Sequence, residues 1–310
     1  MKRIFKTVDE HLTECTTLEK GCWVHLQNPT KEEIDGLTTR FALDPTFLPA
    51  ALDQEESARV EVDGSQTLII VDTPYTESEG SGYIYSTIPV GIVLADEVII
   101  TVTTQETAII TDFTEERVRG FSTQKRMRFI LQLLYRNASL FLSYLKQVDK
   151  ASMHVQGQLE KSMKNRELFQ MLKLEKSLVF FSTSLKGNEG VMEKMMRMSM
   201  LRSDADLGDL LEDVIIENKQ ALEMCTIYRD ILSGTMDAFA SIISNNLNIV
   251  MKVLTSLTVV LTVPTIFSSF WGMNVKVPFG NTSFGFYAVA GFSVVIAVVA
   301  FLFLWRKKMF

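Results

Sequence analysis

NIVMKVLTSLTVVLTVPTIFSSFWGMN, Asn248 to Asn274, is a stretch of membrane length with one polar face. From Val253 to Trp271 it carries 19 residues without a charge, which at ~1.5 Å per residue approaches the ~30 Å hydrocarbon core of a bilayer. Asn248, Met251, Thr255, Thr258, Thr262, Thr265 and Ser269 recur at spacings of three and four, so they share one stripe of a helix. Lipid offers such hydroxyls no partner. The stripe therefore faces protein or water, which a lone helix meets only when several copies pack round an axis. The stretch reads as a pore wall.

A second span, Phe286 to Trp305, is free of charge for 20 residues and is followed by Arg306, Lys307 and Lys308. The segment between the spans holds one base, Lys276, so the positive-inside rule places both termini in the cytoplasm of a protein that crosses the cell membrane twice. The start, MKRIFKTVDEH, has no apolar run of a signal peptide. All 37 acids precede Val253, where they outnumber 27 bases and leave a net charge of −10. That excess excludes nucleic acid as a partner and suits a surface that draws cations. Three cysteines, Cys15, Cys22 and Cys225, form no even framework and fit a reducing compartment.

Outward from the spans, the expected organisation is an α+β cytoplasmic domain (1–115), a long-helix stalk region (116–252) and a transmembrane region (253–310). Within the last, the first span covers 253–271, the outer loop 272–285, the second span 286–305 and the basic tail 306–310. Short β-branched runs predict strands at 22–26, 59–62, 67–71 and 97–102, with a hairpin turn at Asp63-Gly64-Ser65-Gln66. Thr30 with Glu33 forms a capping box and predicts a helix to Ala42. Glu77 to Gly82 reads as a flexible loop. Two long helices are expected between Thr123 and Lys186, broken or bent near Gly157, with a chain reversal at Gly187-Asn188-Glu189-Gly190. The methionines at 163, 171, 192, 195, 196, 198 and 200 read as packing rather than a soft-metal site. From a cap near Ser203 and Asp204, one helix is expected to run from Asp206 to Trp271, about 100 Å.

Continued toward the N-terminus, the stripe meets Ser244, Ser241, Asp237, Gly234, Asp230, Ile227, Glu223, Gln220, Ile216, Asp213, Asp209 and Asp206. A straight helix drifts ~20° per heptad, so this register holds best near the membrane, where Asp237 shares a face with Asn248 and marks the inner mouth. Met251 and Leu254 are bulky and apolar at the cytoplasmic end, the composition of a constriction that gates by dewetting. Lys252 is placed to snorkel, and Pro264 frees a backbone carbonyl inside the span.

Phe270-Trp271-Gly272-Met273-Asn274 at the end of the first of two C-terminal spans, the long helix before it and the basic tail resemble the CorA family of divalent-cation channels. Asn248 to Thr255 is similar to the inner pore entrance of that family. The resemblance implies a funnel-shaped homopentamer that needs no bound cofactor, takes Mg²⁺ as transported and regulatory ion, and passes Co²⁺ or Ni²⁺ as well. It also implies that Gly272, Met273 and Asn274 form the selectivity filter, that Asn248, Met251, Leu254, Thr262 and Thr265 line the pore, and that Asp213 senses cytoplasmic divalents. Trp271 stands where tyrosine is commoner in the family, and the outer loop has no acid.

Two other readings stay open. A proton-coupled zinc transporter of the ZntB branch has the same outline but usually GIN in place of GMN, and His11, Cys15, Cys22 and His25 are zinc-type ligands at wide spacing. Cys22 and His25 on one strand point to opposite faces, against a shared metal. The other is a non-conducting membrane-anchored scaffold or metal sensor, which the intact threonine stripe disfavours. No Ser, His and Asp arrangement suggests an enzyme.

Overall fold

The structure is a computed structural model that describes residues 1–79, 82–95, 97–162, 165–198, 201, 204–273 and 283–309. It divides into two compact units, Met1–Gly234 and Thr235–Phe310.

The first unit is built on a seven-stranded sheet. Its strands are β1 (Lys2–Val8), β2 (His11–Glu14), β3 (Cys22–Gln27), β4 (Arg59–Asp63), β5 (Gln66–Glu79), β6 (Gly82–Leu94) and β7 (Val98–Thr103). They lie in the order β2-β1-β3-β7-β6-β5-β4, and among the described residues only β3 and β7 pair in parallel. Helices α1 (Lys31–Phe41) and α2 (Phe47–Ala50) cover one face through Leu37, Phe47 and Leu48 against Val24, Leu26, Ile70 and Val102. The other face packs Trp23, Ile69 and Ile92 against α3 (Ala108–Thr114), α4 (Arg126–Ser162) and α5 (Asn165–Met195). Leu211, Val214 and Ile215, near the start of α6 (Ala205–Trp271), belong to that same core. Helix α7 (Ser283–Arg306) completes the chain.

The capping box at Thr30 and Glu33 is present, with both reciprocal hydrogen bonds formed. The turn after Asp63 is there as well, with Gly64 at φ +58°, a conformation that glycine adopts at no steric cost. The single helix through the stalk and first span runs from Ala205 to Trp271. Asp204 caps it by accepting from the Leu207 amide at 3.3 Å, while Ser203 lies outside the described residues.

Three expectations are corrected. Strand β5 continues to Glu79 and β6 starts at Gly82, so the segment read as a loop from Glu77 is mostly paired strand. Its anchor is tertiary: Tyr85 meets Tyr144 of α4 edge-on at 6.3 Å, and Thr87 bonds Ser184 of α5 at 2.8 Å. Helix α4 passes straight through Gly157 and ends at Ser162. Helix α5 likewise passes through Gly187 to Gly190 without reversing. There, Asn188 donates to the Asp72 carbonyl and accepts from the Asp72 amide, both at 2.9 Å, docking the helix on β5. Gly187 lets it come close, since a Cβ there would sit 3.2 Å from that of Ala58. Met171, Met192 and Met195 are fully buried, as packing predicts, and Met198 packs partly buried against the same core, but Met196 is exposed, and Met163 and Met200 lie outside the described residues.

Candidate ion pathway

In the second unit α7 covers one side of the last part of α6. Between Asn248 and Trp271 only Ser256, Val260, Val263, Pro264, Phe267 and Trp271 lose exposure. At ~100° per residue these six lie on the face of α6 opposite the polar stripe. Phe267 meets Phe292 edge-on at 5.4 Å, and the Ser268 and Ser293 hydroxyls are 3.3 Å apart. The α7 residues turned inward include Gly285, Ser293, Ala297, Ala300 and Leu304, mostly small, as close helix packing in lipid favours. Asn248, Met251, Leu254, Thr255, Thr258, Thr262, Thr265 and Ser269 are all exposed in the single chain.

Two hydroxyls of this stripe have a defined polarity. Thr258 donates to the Leu254 carbonyl at 2.9 Å, and Thr265 donates to the Leu261 carbonyl at 2.7 Å. With its proton committed to the helix, each oxygen offers only lone pairs outward. A cation in water turns its shell's protons outward, so a wall of acceptors matches a hydrated cation and disfavours a bare anion. Pro264 sits inside the helix, which continues to Trp271. The Gly272 amide then bonds back to the Ser268 and Ser269 carbonyls, and the Met273 amide to Phe270. Asn274 lies outside the described residues.

All twelve residues that continue the stripe toward Asp206 are exposed, Asp237 and Asp213 among them. The 3,4 alternation thus keeps a seven-residue period on the open face of α6. Sequence reading passed over Ser256, which is fully buried and donates to the Met309 carbonyl at 3.1 Å. The one signal in the sequence was its place off the stripe.

The dispersed ligand set near the N-terminus does not assemble. Among the described residues no group of three or more His, Cys, Asp or Glu is placed to hold a metal ion. Cys22 is buried beneath the α1 side of the sheet, and burial raises its thiol pKa, against a metal-binding thiolate. His25 lies on the opposite face, where its Nδ1 is 3.0 Å from the Thr101 hydroxyl. The Trp23 indole donates to the same hydroxyl at 2.9 Å. Desolvation, helped by the charge of Arg3, lowers the His25 pKa to about 4. His11 is a surface residue beside Glu116, at 3.5 Å.

The profile of the family described as "CorA-like Mg2+ transporter protein" matches residues 19–308. The chain belongs to the CorA family. It is 26% identical over 299 residues to the cobalt/magnesium transport protein CorA of Methanocaldococcus jannaschii, an alignment that covers 92% of this chain and 90% of that one. The complete structure of the CorA magnesium transporter from the same organism matches with a TM-score of 0.86 at 22% identity, covering 99% and 98% of the two chains. The cytoplasmic domain of ZntB from Vibrio parahaemolyticus matches with a TM-score of 0.60 at 10% identity over 79% of this chain and 96% of that domain, a likeness of fold. A CorA-family chain with two helices long and apolar enough to span a bilayer is a membrane transporter, not an enzyme.

Proposed function

We propose that the chain forms a homopentameric, funnel-shaped channel that carries Mg²⁺ into the cytoplasm down the membrane potential, with Co²⁺ or Ni²⁺ as further substrates. The observation that carries this reading is the threonine stripe, exposed on the face of α6 that α7 leaves open, with the Thr258 and Thr265 hydroxyl protons committed to the helix. Mg²⁺ sheds water reluctantly, so a wall that binds its hydration shell lets it pass without being trapped. The potential supplies ~2.3 kcal/mol per charge per 100 mV, about twice that for a divalent ion.

In this scheme the filter is Gly272, Met273 and Asn274, and the amide oxygens of Asn274 hold the hydrated ion at the outer mouth. Asn248, Thr255, Thr258, Thr262, Thr265 and Ser269 wet the path, Met251 and Leu254 close its inner end, and Asp237 concentrates cations at the inner mouth. A seven-residue period favours parallel association of the α6 helices with a left-handed supercoil. Divalents bound by the exposed acids of α6, Asp213 first, favour the closed state, and their loss lets like charges separate the subunits. Both termini lie in the cytoplasm, and the domain limits are 1–115, 116–252 and 253–310.

The test is Mg²⁺ uptake into liposomes holding the full chain under an interior-negative potential. Wild type is expected to exceed empty liposomes at least tenfold, and Asn274→Ala to lose most of the flux. In the same assay Leu254→Asp leaks, and Asp213→Lys no longer responds to Mg²⁺ on the cytoplasmic side. Wild-type flux at the empty-liposome level removes the channel reading. Zn²⁺ flux driven by a pH gradient in place of Mg²⁺ flux supports the ZntB-like alternative.

A further inference from the structure

Ser256 is fully buried in a stretch of α6, 248–259, whose other residues are all exposed. The chain after α7, folded back on itself, meets it there. The Met309 amide bonds the Leu304 carbonyl at 3.2 Å and the Lys308 amide bonds the Trp305 carbonyl at 2.9 Å. This is the paired six-to-one and five-to-two pattern that ends a helix by reversing the chain. Its left-handed position, usually glycine, is Lys308 at φ +55°. The reversal is thus held against the backbone preference of its own residue. Leu304 is buried beneath it, and the Ser256 hydroxyl fastens its end by donating to the Met309 carbonyl at 3.1 Å.

We propose that Ser256 is a positioning residue for the gate. It latches the segment after α7 to the inner end of α6, one residue from Thr255 and two from Leu254, and so fixes the radius to which the Leu254 constriction closes. The proposal rests on the reading of α6 as the pore wall. Closure by dewetting depends steeply on radius, so lost positional precision admits water to the closed state. A wetted open path tolerates the same loss. The latch therefore acts on residual flux when the channel is shut and leaves open flux alone.

The experiment uses the full chain in liposomes and follows a stable Mg²⁺ isotope at equal total Mg²⁺ on both sides, first millimolar and then micromolar. Hydrogen exchange at the Lys308 and Met309 amides is measured in parallel. Ser256→Ala is expected to raise tracer flux at millimolar Mg²⁺ about fivefold, to leave micromolar flux within about twofold of wild type, and to speed exchange at both amides. Lys308→Gly, which relieves the reversal, is expected to slow exchange and to hold millimolar flux at or below wild type. Faster exchange in Ser256→Ala with wild-type flux at millimolar Mg²⁺ overturns the proposal, because the bond is then real but uncoupled from the gate. Unchanged exchange in Ser256→Ala overturns it by removing the bond. A wild type without flux is a different failure: it removes the channel and the gate together, whatever the exchange arm reads.

Discussion

Thr101 serves two buried side chains with one hydroxyl. The Trp23 indole N–H can only donate, so the Thr101 oxygen accepts from it, and the same hydroxyl bonds His25 Nδ1 in the direction that the histidine tautomer sets. Protonating His25 places a charge on a buried ring beside Arg3. Because its folded pKa of about 4 lies below the ordinary 6.5, the unfolded chain binds the proton first as pH falls. His25 therefore costs stability between pH 6.5 and 4, up to about 3 kcal/mol, and nothing further below that. A urea titration of the wild type should lose stability through this window, and His25→Gln should flatten the loss. Thr101→Val should cost about 2–4 kcal/mol at neutral pH by orphaning the indole N–H and Nδ1; a loss under about 0.5 kcal/mol contradicts this sharing of one hydroxyl. Sequence separates Cys22 from His25 by strand alternation alone. It does not reveal Thr101, which becomes His25's neighbour only through the parallel pairing of β3 with β7.

The elements were legible where their signal is local. The capping box, the Asp63 to Gln66 turn and the unbroken α6 each follow from residues within a few positions of one another. Strands β1 and β2 were missed because their hairpin turns through Asp9 and Glu10, both at positive φ, where Asn-Gly is the usual signal. All of β6 and the far half of β5 were missed; α4 and α5 hold this hairpin through Tyr144 and Ser184. Glycine misled twice, at Gly157 and Gly187, since tertiary packing carries a helix past a weak residue. The two glycines differ in what surrounds them. A Cβ on Gly157 meets nothing within 4 Å, so Gly157→Ala should raise stability by about 1 kcal/mol. Gly187→Ala should gain less or lose, because the new Cβ crowds Ala58 at 3.2 Å. Equal gains in thermal melts of the two variants contradict this account.

At the scale of the molecule, α6 belongs to both units, with Gly234 ending the first and Thr235 opening the second. Its N-terminal part contributes Leu211, Val214 and Ile215 to the core of the α/β unit, and its C-terminal part carries the threonine stripe. The stripe was legible as a period in the sequence. Which face α7 would cover was not, because α7 is apolar nearly all round and its own pattern selects no side. The six covered residues of α6 decide it, and the decision is open to direct measurement. Single cysteines placed at Thr258, Thr262 and Thr265 on the open face, and at Val260, Val263 and Phe267 on the α7 face, are to be treated with a charged, water-soluble thiol reagent during Mg²⁺ flux, in a background with Cys15, Cys22 and Cys225 replaced. Flux should fall on modification of the three threonine positions and stay unchanged at the other three; modification confined to the α7 face, or spread equally over both, contradicts the assignment of the pore wall.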